Sequence, residues 1–83
     1  MVLFAIYQYG YSVLGIGLTV SSAKADAINN GYVINNVKND RQQVNIGDIV
    51  VIPITEDLYK HVTLYGGNVS IEKNLDGLYS LDS

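Results

Sequence analysis

Residues 44–54, VNIGDIVVIPI, are the strongest strand signal in this chain of 83 residues. Apolar side chains fall on both faces of an extended strand here: Val44, Ile46, Val50, Ile52 and Ile54 on one face, Ile49 and Val51 on the other. A strand that is apolar on both faces is typical of a position covered on both sides. Gly47 predicts a bulge or a sharp bend, and Pro53 predicts a strand end or an edge position.

The sequence that follows predicts a turn at TEDLY (55–59) and then a β-hairpin over residues 60–73. A two-residue loop at Gly66 and Gly67 sets the cross-strand pairs: Leu64 with Val69, Val62 with Ile71, Thr63 with Ser70 and His61 with Glu72. Moving the loop by one residue breaks the apolar pairs, so this register is favoured. A further turn at Asp76 and Gly77 would fold LYSL (78–81) back onto the hairpin.

The sequence that precedes the long strand predicts a short strand at YVINNV (32–37) and a polar turn at KNDRQQ (38–43). Before these, SSAKADAINNG (21–31) predicts a short helix over residues 23–30. Ser22 would be its N-cap and Gly31 its left-handed C-terminal residue. The alternative is a hairpin turn at Asn30 and Gly31. The predicted fold class is mainly β, a small barrel or meander of about five short strands, with this short helix and an apolar N-terminal arm.

The charge distribution divides the chain into two parts. Residues 1–23 carry no charge, whereas all Lys, Arg, Asp and Glu residues lie in residues 24–83. We therefore predict an apolar N-terminal segment, residues 1–23, that serves as a packing arm or as an anchor or signal. Residues 24–83 are predicted to form a small β domain.

Three structures compete for the N-terminal segment. Its length is enough for a membrane-spanning helix, which needs about 20 apolar residues, but its glycines and tyrosines weaken that assignment. The alternation in YQYGYSV (7–13) predicts a strand, which we favour for residues 4–13. SVLGIGLTV (12–20) followed by Ala23-Lys24-Ala25 resembles a signal peptide with its cleavage site, except that the basic start is missing.

The arm is also the predicted interface. A domain this small is marginally stable by itself, and the absence of cysteine excludes disulfides, so partner chains are the expected source of extra stability. Tyrosine is enriched at interface hot spots. The predicted interface residues are Phe4, Ile6, Tyr7, Tyr9, Tyr11, Val13, Leu14, Ile16 and Leu18.

No motif in the sequence predicts catalysis, a metal or a cofactor. His61 and Glu72, if paired across the hairpin, lack the third group and the pocket that catalysis requires. Asp48, Glu56 and Asp57 do not follow the calcium-loop spacing, and Asp48 is expected to accept a backbone N–H at the Gly47 bend. The net charge of −3 and the absence of clustered basic residues argue against nucleic acid as a partner.

These observations predict a non-enzymatic structural or assembly protein, held by its apolar arm in a multi-chain complex such as a virion, a tail or a surface filament. Its partners would be copies of itself or other subunits, and its location extracellular, on a cell surface or in a virion. One alternative is a secreted or cell-surface β binding module released by cleavage after Ala25. Another is a single-pass membrane subunit anchored through residues 1–23.

Overall fold

The computed structural model describes residues 2–82, which form six strands and two helices. In chain order these are β1 (Leu3–Gln8), β2 (Ser12–Gly17), α1 (Val20–Asn29), β3 (Lys38–Asn39), β4 (Ile49–Ile54), α2 (Glu56–Tyr65), β5 (Ile71–Lys73) and β6 (Tyr79–Leu81). Among the described residues, 32% are in strands and 25% in helices, so the predicted class of a mainly β fold with a short helix is confirmed.

The strands form one open, mixed sheet in the order β2-β1-β4-β6-β5, and β3 pairs with β4 outside this path. Strand β1 is antiparallel to both β2 and β4, whereas β3 and β6 run parallel to β4. Because β2 and β5 end the sheet without meeting each other, the sheet is not a closed barrel, which was one of the two predicted forms.

Strand β4 lies in the middle of the sheet with a helix packed over each face. Val50, Ile52 and Ile54 belong to the buried cluster that contains α2, and Ile49 and Val51 pack against the cluster that contains α1. The predicted strand covered on both sides is confirmed for residues 49–54. Pro53, the second-last residue of β4, confirms the predicted strand end.

The predicted strand over residues 44–48 is wrong, because the chain turns there instead. Gly47 has a φ of +94°, a left-handed conformation that glycine adopts without steric cost. The predicted bend at Gly47 is therefore confirmed. The turn leaves Ile46 73% exposed rather than on the buried face of the strand.

Residues 3–17 form the hairpin β1–β2, so they supply two strands of this chain's own sheet. The preferred strand prediction for residues 4–13 is confirmed for residues 4–8 in β1 and 12–13 in β2, but residues 9–11 form the hairpin turn. Gly10 has a φ of +82° in that turn. Six consecutive residue pairs, from Leu3 with Ile54 to Gln8 with Ile49, join β1 to β4.

Helix α1 begins three residues earlier than predicted. Its N-cap is Thr19, whose hydroxyl accepts the backbone N–H of Ser22 at 3.0 Å, while the Ser22 hydroxyl accepts the N–H of Thr19 at 2.9 Å. This reciprocal capping box starts the helix at Val20. Ser22 is thus the third helical residue and not the cap. Gly31, with a φ of +94°, confirms the predicted left-handed C-terminal residue.

Small residues let α1 approach the sheet closely. A Cβ placed on Gly15 of β2 would lie 2.6 Å from the Ala23 carbonyl oxygen and 2.8 Å from the Ala27 Cα, too close for a real contact. Ala23 and Ala27 are themselves fully buried. Any larger side chain at this contact would push the helix away from β2.

We expect Ala27→Val to lower the free energy of unfolding by about 1–3 kcal/mol, because the added methyl groups overpack the contact with β2. The matched control is Ala25→Val, the same change at an exposed position of the same helix. That control is expected to cost only about 0.5 kcal/mol, from the lower helix propensity of valine. Urea unfolding followed by circular dichroism measures both, and equal losses would contradict the packing described here.

Helix α2 replaces the predicted turn at 55–59 and the first strand of the predicted hairpin over 60–73. Thr55 is its N-cap, and its hydroxyl accepts the N–H of Leu58 at 3.2 Å. Glu56 and Asp57 occupy the first turn, where carboxylates interact favourably with the helix dipole. Gly66, predicted as a hairpin loop residue, is instead the C-cap of the helix.

Two further segments test the remaining strand predictions. The predicted strand at 32–37 is wrong, because strand structure in this region is confined to Lys38–Asn39, inside the predicted polar turn. The predicted turn at Asp76 and Gly77 is confirmed: Gly77 has a φ of +82°, and β5 pairs antiparallel with β6.

Within residues 2–82, neither helix has the length and apolar character needed to cross a membrane.

Candidate contact surface at the hairpin tip

The nine predicted interface residues differ widely in exposure. Four are buried inside the chain, two are half-buried and three are exposed: Ile6, Tyr7, Val13 and Leu14 are buried, Phe4 and Ile16 are half-buried, and Tyr9, Tyr11 and Leu18 are exposed. The buried four pack in the two clusters that flank the sheet. Of the three exposed residues, Tyr9 and Tyr11 both lie in the β1–β2 turn, so this turn is the candidate contact surface.

Hydrogen bonds attach the hairpin turn to the segment before β4. The Tyr9 N–H donates to the Asp48 carbonyl oxygen and the Gly47 N–H donates to the Tyr9 carbonyl oxygen, both at 2.9 Å. The Asp48 carboxylate accepts the Asn45 N–H at 2.9 Å and pairs with the Lys38 ammonium at 2.8 Å. These contacts give the tip a defined shape, and Ile46 lies against Gly10 as a result.

The prediction for Asp48 is confirmed, because its carboxylate accepts a backbone N–H at the bend. The hydrogen bond from Lys38, followed by the backbone N–H of Asn45, lowers the pKa of Asp48 below its usual value of 3.8. Asp48 therefore stays ionised to lower pH than a free carboxyl, and the ion pair with Lys38 persists with it. Within residues 2–82, no group of three or more His, Cys, Asp or Glu side chains is placed to hold a metal ion.

Three tyrosines from separate parts of the chain surround a recess of about 390 Å³ beside the hairpin turn. Tyr11 comes from the turn, Tyr32 from the segment after α1, and Tyr65 from the last residue of α2. The other lining residues are Ser12, Val13, Gly66, Gly67 and Asn68. Among residues 2–82, no charged residue lines this recess, in a chain that carries eight acidic and five basic residues.

On the other side of the turn, Tyr9 and Ile46 border a second recess of about 420 Å³. Its lining includes the charged residues Glu72 and Lys73. Tyr79 lines the same recess. Burial raises the pKa of Tyr79, and the nearby Asp40 carboxylate adds to this effect, so the phenol stays neutral. The two recesses therefore differ in charge, and the uncharged one is the better candidate for an apolar contact.

We use "tip surface" for the exposed apolar side chains around the hairpin turn: Tyr9, Tyr11, Tyr32, Ile46 and Tyr65. Tyr11 is 61% exposed and Tyr65 is 75% exposed. Large aromatic side chains with free polar ends are the residue type that most often anchors protein contacts. The predicted interface residues include Tyr9 and Tyr11 but not the other three, which lie outside the N-terminal segment.

The predicted pair of His61 and Glu72 does not form. His61 lies on α2, where its ring packs at 4.9 Å between centroids from the ring of Tyr65, one turn further along the helix. Glu72 lies on β5, at the opposite end of the sheet from β2. No hydrogen bond or ion pair between His61 and Glu72 occurs in the described part of the chain. The cross-strand register predicted for them is wrong because residue 61 is helical.

The fold and surface define a small, open mixed sheet with a helix on each face and an uncharged tyrosine recess at one end. Comparisons with protein-family models, with curated proteins and with solved structures find no match to this chain.

Proposed function

We propose that this chain is a non-enzymatic structural subunit of a multi-chain assembly, and that it contacts a second copy of itself through the tip surface. The observation that carries the proposal is the uncharged recess bordered by the exposed rings of Tyr11 and Tyr65. Protruding rings beside a recess form a self-complementary shape. Around a two-fold axis, a tyrosine of each copy would enter the recess of the other, as in an isologous dimer.

The charge distribution supports a second copy as the occupant. Each chain has a net charge of −3, so most surfaces of two copies repel each other weakly. Within residues 2–82 no charged residue lines the tyrosine recess, so a contact there places no like charges directly against each other. Burying its aromatic area would contribute about 25 cal/mol per Å² removed from water.

The size of the chain supports assembly as well. The two small buried clusters of a chain of this length leave little stability in reserve, and no cysteine is available to add a disulfide. A contact between folded copies stabilises each of them by mass action. The extracellular, cell-surface or virion setting remains a prediction from composition, as do the secreted-module and membrane-subunit alternatives.

The test is sedimentation velocity of the full chain across micromolar to millimolar concentrations. We expect a reversible dimer whose dissociation constant rises at least tenfold, equivalent to about 1.4 kcal/mol, in the double variant Tyr11→Ser, Tyr65→Ser. Both side chains are exposed, so the substitutions are expected to leave the fold intact.

The control is Leu75→Ser, which removes a fully exposed apolar side chain from the β5–β6 turn, outside the tip surface. It should leave the dimer unchanged. A full-length chain that stays monomeric over the whole concentration range would overturn the proposal. So would a dimer that Leu75→Ser weakens as much as the tyrosine double variant.

A further inference from the structure

The β2 edge of the sheet forms the floor of a groove of about 510 Å³ between the two helices. Residues of α1 and α2, such as Asp26 and Thr63, line it together with Leu14 and Ile16 of β2. An edge strand normally presents unpaired N–H and C=O groups, which another chain can use to extend the sheet. Whether these backbone groups of β2 are already hydrogen-bonded therefore decides whether a second copy can add a strand to the sheet.

Three backbone groups of β2 form hydrogen bonds with parts of the chain other than β1. The Val13 N–H donates to the Gly67 carbonyl oxygen at 2.8 Å. The Asn30 side-chain amide donates to the Leu14 carbonyl oxygen at 3.0 Å. The Ile16 N–H donates to the Asp26 carboxylate at 3.0 Å. Together these three partners take the place that the backbone of a neighbouring strand would have.

The pairing of β1 with β2 explains why a side chain is needed at Leu14. The register shifts between Ile6 and Tyr7, which pair with Gly15 and Val13, so Leu14 has no partner on β1. Such a bulge leaves a backbone group without its ladder partner. Asn30, at the end of α1, supplies the missing donor.

Close packing closes the groove further at the Gly67 end. A Cβ on Gly67 would overlap the carbonyl oxygen of Val13, so the chain after α2 lies directly against the edge strand. An incoming strand would have to displace this segment. At the opposite end of the sheet, β5 has only three residues, and Glu72 and Lys73 on it are exposed. Short, charged edge strands also resist strand addition.

We infer that Asp26, Asn30 and Gly67 close the β2 edge against strand addition, so that copies of this chain meet through side chains and do not extend the sheet. The closure works by hydrogen-bond satisfaction: an incoming strand gains nothing from backbone groups that are already paired. This restriction does not depend on whether the tip surface forms a dimer. It specifies instead which surface of the chain is unavailable to a partner strand.

The test is the double variant Asp26→Ala, Asn30→Ala, made in the Tyr11→Ser, Tyr65→Ser background so that the tip surface does not contribute. We expect this variant to remain folded and to self-associate with a rise in thioflavin T fluorescence. The outward amides of β2 should then become protected from hydrogen exchange in the associated form. A folded variant that stays monomeric at millimolar concentration would overturn the inference.

The matched control is Asp57→Ala, Asn29→Ala in the same background. It removes the same two side-chain types, and the same charge, from exposed helical positions. This control should stay monomeric, because it leaves the bonds to β2 in place; it also separates their effect from that of net charge on association. Equal association of control and test variant would contradict a specific role for Asp26 and Asn30.

Single-site hydrogen exchange keeps the inference testable if the double variant fails to fold. In the otherwise unchanged chain, the Ile16 N–H should exchange at least tenfold more slowly than exposed loop amides. Asp26→Ala should remove that protection, whereas Asp26→Asn should retain it, since an amide oxygen still accepts the bond. Unprotected exchange of Ile16 in the unchanged chain would show that the edge is open.

Discussion

A chain that begins at residue 26 is expected to be unfolded. The removed residues 1–25 contain both strands of the hairpin and the first turn and a half of α1. They also contain seven of the twelve buried apolar residues of the described chain: Leu3, Ala5, Ile6, Tyr7, Val13, Leu14 and Ala23. Without β1, the central strand β4 would lose its whole antiparallel ladder and expose a long apolar edge.

The physical reason is the small size of the core. A domain of this length has a free energy of unfolding of only several kcal/mol, about 0.05–0.15 kcal/mol per residue. Burying a side chain such as Ile6 or Leu14 contributes about 1.5–3 kcal/mol by itself. The summed loss of seven of the twelve buried side chains is therefore expected to exceed the total stability.

Circular dichroism and the dispersion of a ¹H–¹⁵N spectrum of residues 26–83 measure this outcome. We expect a spectrum of an unfolded chain, and recovery of dispersed signals when a peptide of residues 1–25 is added in excess. The same peptide with Ile6→Asp should fail to restore them, because it places a charge at a fully buried position. A cooperatively folded 26–83 fragment would contradict the prediction and favour the secreted module released after Ala25.

Leu58→Ala is expected to lower the free energy of unfolding by about 2–5 kcal/mol. Leu58 is 0% exposed and lies in the same cluster as Ile52 and Ile54 of β4. It is the buried residue of α2, so its truncation leaves a cavity directly between helix and sheet. A loss of about 2–5 kcal/mol is a large fraction of the free energy of unfolding of so small a domain.

The control for this change is Leu64→Ala on the same helix. Leu64 is 72% exposed, and its truncation should alter the unfolding free energy by no more than about 0.5 kcal/mol. Chemical denaturation of the three proteins under one set of conditions gives both differences. If residues 60–65 formed the predicted strand, Leu64 would face Val69 across a hairpin, and the two substitutions would have similar effects.

The central strand is the part of the fold that local sequence describes well. Ile49 to Ile54 is a run of apolar, largely β-branched residues, and such a run favours a strand covered on both sides wherever it occurs. The turns at Gly31, Gly47 and Gly77 are equally local. Each needs a left-handed backbone, which glycine adopts at little cost.

Helix α2 shows where local reasoning fails. His61, Val62, Thr63 and Leu64 alternate in polarity before two glycines, and this pattern fits a hairpin as well as a helix. The overlooked signal was Thr55 followed by Glu56 and Asp57, a cap with an acidic first turn. Packing of the helix against β4 then decides between the two structures, because it buries Leu58 and partly buries Val62.

The candidate surface was only partly accessible to sequence analysis. Tyr9 and Tyr11 could be singled out because tyrosine in an uncharged segment is typical of a contact region. The exposure of these two side chains could not be predicted from the sequence, because Tyr7 and Val13 in the same hairpin are also apolar and yet buried. Tyr65 joins them in space from more than fifty positions away, through the placement of α2 beside β2.

The amino-acid sequence by itself determined a small, acidic, mainly β chain with no disulfide, a two-sided central strand and left-handed turns at specific glycines. These properties follow from composition and from backbone preferences that act over a few residues. The tertiary structure alone decided that residues 3–17 form a hairpin of this chain's own sheet, that residues 56–65 are helical, and that Asp26 and Asn30 bond to the β2 edge. Those outcomes depend on burial and hydrogen bonding between distant segments, whose free energies exceed the local preferences of each segment alone.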